Sequence, residues 1–353
     1  MSGDAATMSG LPKRFQWAKL AEILAPLVLA LVAVAFLLLI AGHNPFETYW
    51  LLVQESFGGS RRIAATLAAS TPLILTGLAT AVAFRVGAFN VGVEGCVYVG
   101  GLAAVWVGFT FVSLPSIILI PLALTAAVVT GALWMWVPAI LKARLDVDEV
   151  VTTLMLNFIA ISLTAFLVNA FLLAQGSANS ATPMVVEAAR LPRLMPPSTL
   201  NAGFLIAIAL LAFFWWWSKY TALGYETRLA GMSPRFATAS GMNVPSLIIQ
   251  MMLISGAIGG IAGGIHGLGT VGRFVTGFSP GYGFVGIAVA LLGRGSAIGI
   301  LLAAILFGAL ATSGATIQLF SDVPIEIVNI LQGMVMIFAV ARFGWIFARR
   351  RRA

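Results

Sequence analysis

The chain has 353 residues, 60% of them hydrophobic and 9% charged, with a mean hydropathy of +1.01; soluble domains carry about 25% charge, so this is the composition of a membrane protein. Ten spans of roughly 20 apolar residues use about 200 positions, which leaves short loops and excludes a large soluble catalytic or nucleotide-binding domain. The net charge of +8, from 20 Lys and Arg against 12 Asp and Glu, needs no nucleic-acid partner, because basic residues collect in the loops that a membrane protein keeps in the cytoplasm.

Apolar runs bounded by glycine, proline or charge predict an all-α, polytopic transmembrane helical bundle of about ten spans. In chain order they lie near 20–42, 63–84, 91–112, 117–141, 150–174, 201–217, 246–270, 276–293, 297–319 and 325–347. The first follows Lys13, Arg14 and Lys19 and is longer than the roughly 7–15 apolar residues of a cleavable signal, so it reads as a retained helix. The organisation that follows is a cytoplasmic tail at 1–19, one transmembrane domain at 20–347 and a basic tail at 348–353.

Placing the N-terminus inside puts Arg85, Lys142, Arg144, Lys219, Arg228, Arg235, Arg294, Arg342 and the run Arg349 to Arg352 on the same side. Together with Lys13, Arg14 and Lys19 that makes about 15 basic residues inside, against about 5 outside. Both termini are then cytoplasmic. Two places break the helical pattern: the stretch 85–95, with Gly87, Gly92 and Gly95, and 276–293, with Gly277, Pro280, Gly281 and Gly283. The second is a full span, a half-helix or a re-entrant segment.

Two loops are long. Residues 175–200 hold four prolines and fall outside; they form an ordered cap or docking surface, or else a flexible connector. Residues 218–245 fall inside, where Ser233 at an N-cap and Pro234 at N1 predict a short helix that Gly241 stops. Such a helix between two spans is a surface that another protein can push.

No lysine follows a glycine, so there is no phosphate-binding P-loop. His43 and His266 are far apart, and Cys96 is the single cysteine; neither a metal, a disulfide nor any other cofactor is expected. No nucleophile, base and orienting group fall together, and no catalytic residue is assigned.

Glu94 is the conspicuous charge inside a span, where a carboxylate costs about 2.5–3.5 kcal/mol. Either it lines a polar path beside Asn90, or it pairs with Arg85 at an interfacial turn. Asn157, one turn from Thr153, bonds a neighbouring helix or meets a substrate. Asp146, Asp148 and Glu149 beside Lys142 and Arg144 read as a solvated turn. Gly256, Gly260 and Gly264, with a second row at Gly259, Gly263 and Gly267, allow close helix packing. His266 on that helix reads as a packing residue, and Trp134, Trp136 and Trp215 to Trp217 as interface anchors.

The segments TPLILTGLATAVAFRVGAFNVGVEG, KARLDVDEVVTTLMLNFIA, TRLAGMSPRFATASGM and GYGFVGIAVALLGRGSAIGILLAAILFGAL resemble permease subunits of bacterial ABC importers, in the branched-chain amino acid and simple sugar permease superfamily. The likeness spans roughly 45–340, and Phe89 to Gly95 with Glu149 to Asn157 resemble the nucleoside-type members most. Cys96 departs from them, standing where they usually carry glutamine. The resemblance implies a bacterial inner-membrane protein that carries nucleosides or simple sugars. Implied partners are cytoplasmic ATP-binding subunits, a second and usually non-identical permease, and an extracytoplasmic binding protein or lipoprotein. It assigns Thr227 to Asn243 to ATPase docking, through Arg228, Gly231, Ser233, Pro234, Ala237 and Gly241. A substrate path is expected at Phe89, Asn90 and Glu94, with Asn157, Tyr282 and Phe284 as further candidates. The alternative is a self-sufficient secondary transporter or channel with Glu94 or His266 as a proton site.

Overall fold

The computed structural model describes residues 28–40, 42–176, 180–320, 326 and 329–338. Its helices are α1 Val28–Ile40, α2 Pro45–Phe57, α3 Ser60–Phe84, α4 Val93–Thr110, α5 Ser116–Leu145, α6 Glu149–Phe171, α7 Gly203–Tyr220, α8 Ala222–Met232, α9 Pro234–Ala239, α10 Val244–Ile265, α11 Tyr282–Leu292, α12 Ala297–Phe320 and α13 Asn329–Phe338. Among the described residues seven helices are long and apolar enough to cross a membrane; α1, α11 and α13 are shorter apolar helices. The ends of the first and last expected spans, before residue 28 and after residue 338, lie outside the described residues.

Short polar residues set the helix starts. Asn44 accepts the Phe46 N–H before Pro45 opens α2, and Asp148 accepts the N–H groups of Val150 and Val151 at the start of α6. The helix expected after Ser233 is α9, with Pro234 at N1 and Gly241 in the left-handed region at φ 84°. Each cap satisfies donors that the first helical turn leaves without a partner.

The centre of the bundle is α10, which packs against α5, α4 and α3. Its two glycine rows face different neighbours. A Cβ at Gly256 or Gly260 would run into the backbone oxygens of Gly131 or Ala127 on α5, and at Gly264 into the Ala127 side chain. On the other row, a Cβ at Gly259 would meet Cys96, and at Gly263 the carbonyl of Val97, both on α4. Helix backbones can approach this closely only where no side chain stands between them.

The segment 276–293 is a half-helix. Only Tyr282–Leu292 is helical, 11 residues or about 16 Å, roughly half of a hydrocarbon core. The irregular stretch before it is tied to the loop after α6: Thr182 N–H donates to the Phe274 carbonyl at 2.9 Å and Thr276 N–H to that of Ser180 at 3.0 Å. Beyond α11, Arg294 and Gly295 share a cavity wall with Ser218 and Lys219 at the α7–α8 corner. From the cap-side bonds to that cavity wall the segment runs half as irregular turns and half as helix.

Residues 180–202 are an ordered cap. Val185, Val186 and Leu191 donate backbone N–H groups to the carbonyls of Gly272, Gly108 and Leu268. Ala189 is fully buried beneath them. Leu268 and Gly272 belong to or follow the π-helical turn His266–Val271 that ends α10, so the cap is stitched to the end of the central helix. For the described residues 180–200 of this loop the flexible-connector reading does not hold.

Gly260→Val drives a branched side chain into the α5 backbone, at a cost of about 1–3 kcal/mol or more. The folded, monodisperse fraction after detergent extraction is expected to fall sharply, while Gly333→Ala, whose added Cβ meets nothing within 4 Å, leaves it unchanged. Fluorescence-detected size-exclusion chromatography reads both.

Candidate functional site

Between α3 and α4 the chain runs irregularly through residues 85–92, with Val86, Ala88, Asn90 and Val91 buried. Buried backbone N–H and C=O groups need partners, and hydrocarbon supplies none. One face of α6 supplies them at i, i+4 and i+8. Glu149 Oε1 accepts the Phe89 N–H at 3.1 Å, and Thr153 Oγ1 the Val91 N–H at 3.2 Å. Asn157 Oδ1 accepts the Gly95 N–H at 2.8 Å while its Nδ2 donates to the Val91 carbonyl at 2.9 Å. Asn90 folds back to accept the Gly92 N–H at 2.8 Å and donates to Ser255 Oγ at 2.8 Å. Ser255 lies half-way along α10, about 16 Å from its start, so the loop reaches the middle of the bundle.

Glu94 is 2% exposed and does not pair with Arg85. Its Oε2 accepts the Gly283 N–H at 2.6 Å, in the first turn of α11. A Cβ on Gly283 would collide with the backbone of Glu94, so the N-termini of α4 and α11 abut with this carboxylate between them. Each N-terminus carries roughly half a positive charge, which a carboxylate offsets. Ser279 Oγ accepts the N–H groups of Gly281 and Tyr282, completing the turn that opens α11. His266 packs edge-on against Phe278 and Tyr282, with ring centroids 5.1 and 5.0 Å away.

The expected path residues thus divide in two. Asn90, Glu94 and Asn157 are buried and spend their polar atoms on backbone and on Ser255. Phe89 and Phe284 present 37% and 36% of their surface, and Tyr282 is half-buried. Phe89 stacks on Phe84 with centroids 4.8 Å apart. Glu149 corrects the sequence reading: it is buried, bonding Phe89 and pairing with Lys142 at 3.1 Å, rather than part of a solvated turn. Asp146 remains exposed, and Lys142 at 2.9 Å holds its carboxyl below the usual carboxylate range. Ser255 and Ser279 were not singled out by the sequence; the spacing of Glu149, Thr153 and Asn157 was the legible signal for the α6 ladder.

At the opposite end from the cap, a cavity of about 720 Å³ lies between the 85–89 loop, α7, α8 and the end of α11. Arg85, Lys219, Arg228 and Arg294 line it, with Gly87, Phe89 and Gly231. Four helix C-termini converge here, and their free carbonyls favour cations. Of the expected docking residues, Arg228 is exposed, Ser233 and Pro234 start α9, Ala237 is fully buried, and Gly231 packs against the Arg85 carbonyl, where a Cβ would clash.

The family described as branched-chain amino acid transport system, permease component, matches residues 62–340. The chain is 38% identical to the guanosine ABC transporter permease protein NupP of Bacillus subtilis, over 92% of this chain and 95% of that one. It is 34% identical to the nucleoside ABC transporter permease protein NupB of Lactococcus lactis, over 92% of each. A glucose ABC transporter permease protein of Haloferax volcanii is also 34% identical, over 92% of this chain and 90% of its own. No solved structure gives a significant match. With its multi-pass helical bundle, the chain belongs to the permease-component family and is the membrane-spanning transport subunit of an ABC system, not an enzyme; ATP hydrolysis lies in separate subunits.

Proposed function

We propose that this subunit imports nucleosides, with simple sugars as the second substrate class, and that α8 and α9 seat the ATP-binding subunit. The substrate class rests on the guanosine and nucleoside relatives, and the sugar reading on the glucose relative. The observation that carries the docking assignment is the backbone contact of Gly231 in α8 with Arg85 and Gly87, the start of the loop that holds Phe89, Asn90 and Glu94. In this reading the α8–α9 end, both termini and the basic cavity face the cytoplasm. The 180–202 cap faces outward, towards a substrate-binding protein, and a second, non-identical permease completes the path. Residues 1–19 and 348–353 are tails to one transmembrane domain.

Phe89 and Phe284, with Tyr282, border the path; Asn90, Glu94 and Asn157 hold its irregular walls in place. ATP binding draws the docked helices together, and that motion reaches the loop through Gly231. Copurification with ATP-binding subunits and ATP-dependent nucleoside uptake in liposomes test the reading. Ion-driven uptake by the purified chain alone would establish the secondary-transporter alternative.

Glu94→Ala removes the acceptor at the α11 start. Loss of a charge-assisted bond of about 1.5–3 kcal/mol is expected to lower uptake at least about tenfold at normal membrane levels. Orientation has its own test. Arg235→Cys should react with an impermeant maleimide only in inside-out vesicles and Ser198→Cys only in intact cells, because the native Cys96 is buried and silent.

A further inference from the structure

Arg85 is the first residue after α3, yet its side chain serves neither α3 nor Glu94. Its Nη2 donates to the Ser218 carbonyl at 3.3 Å and to the Gly224 carbonyl at 3.1 Å. Ser218 lies in the last turn of α7, where carbonyls have no helical donor, and Gly224 in the first turn of α8. The guanidinium also lies over the rings of Phe214 and Trp217, 5.7 and 5.6 Å from their centroids. Burial and the nearby charge of Arg228 pull its pKa below the ordinary guanidinium range. No carboxylate stands within ion-pair distance among the described residues.

The same residue meets α8 a second time. Its backbone carbonyl is the atom against which Gly231 packs. Gly224 and Gly231 are seven residues apart, two turns along one face of α8 or about 10 Å. One residue therefore grips that face at two points. Five residues further along, Asn90 is bonded to the middle of α10, and the stretch between is pinned to α6 through Phe89.

We propose that Arg85 is a positioning residue for transport, the strut that carries displacement of α8 into the 86–95 loop. This rests on the reading of α8 and α9 as the ATPase seat. Both bonds leave one nitrogen, Nη2, and the planar guanidinium over two aromatic faces fixes its direction; a lysine at this place keeps the charge but not the plane. Bonds to two carbonyls on different helices resist both sliding and rotation of the α7–α8 corner. Without them the Gly231 backbone contact alone couples α8 to the loop, and part of the displacement is lost.

The test compares Arg85→Lys, Arg85→Gln and Trp217→Leu in the full transporter, with its ATP-binding subunits, second permease and binding protein, in liposomes. The readout is substrate taken up per ATP hydrolysed, at matched complex content. Arg85→Gln is expected to lower that ratio at least about tenfold, the loss of one strong charge-assisted contact, with Arg85→Lys in between and Trp217→Leu milder. Trp217→Leu keeps the guanidinium bonds and serves if either Arg85 variant fails to assemble. An unchanged ratio in assembled variants overturns the proposal, as does a proportional fall of uptake and hydrolysis, which marks a purely structural role. Failure of the docking reading is separate: the wild-type chain would then not retain ATP-binding subunits, or Arg235→Cys would be labelled from outside.

Discussion

The constraint on which this structure turns is that no backbone group can be left bare inside a membrane. Among the described residues the chain breaks its helical ladder inside the bundle at 85–92 and at 272–281, and each break frees donors that need acceptors. Glu149, Thr153 and Asn157 on α6 serve the first break, and Glu94 and Ser279 serve the second. The two repairs meet, because Glu94 stands in the first turn of α4, immediately after the first break. An irregular stretch inside the bundle thereby has its backbone groups bonded, as those of a helix are.

Bonding of that kind suits a subunit that generates no force of its own. α10 packs its glycine rows on α5 and α4, so these helices have little freedom to shear independently. The cap is bonded to the far end of α10, and Arg85 ties the near end of α3 to α7 and α8. Displacement applied at one end of such a body moves whole helices rather than side chains, the style of motion that packed cores permit.

Much of this was legible in the sequence. Apolar runs located the spans because lipid demands about 20 such residues, and Ser233-Pro234 with Gly241 located α9 because helix ends have fixed chemistry. The glycine rows on α10 were readable from spacing alone. α8 was not, since ALGYETRLAGM is too polar for a span and begins at an ordinary Thr221 cap. Glu149 was misplaced because Asp146, Asp148, Lys142 and Arg144 surround it and only one member of that charged cluster turns inward. Whether Glu94 pairs with Arg85 or another group depends on which distant backbone arrives beside it. The α11 start, 189 residues later in the chain, is not encoded near it.

The abutting starts of α4 and α11 also have an electrostatic consequence. Two half-charges of one sign and a single carboxylate of the other nearly cancel, so from a distance the junction is electrically close to blank.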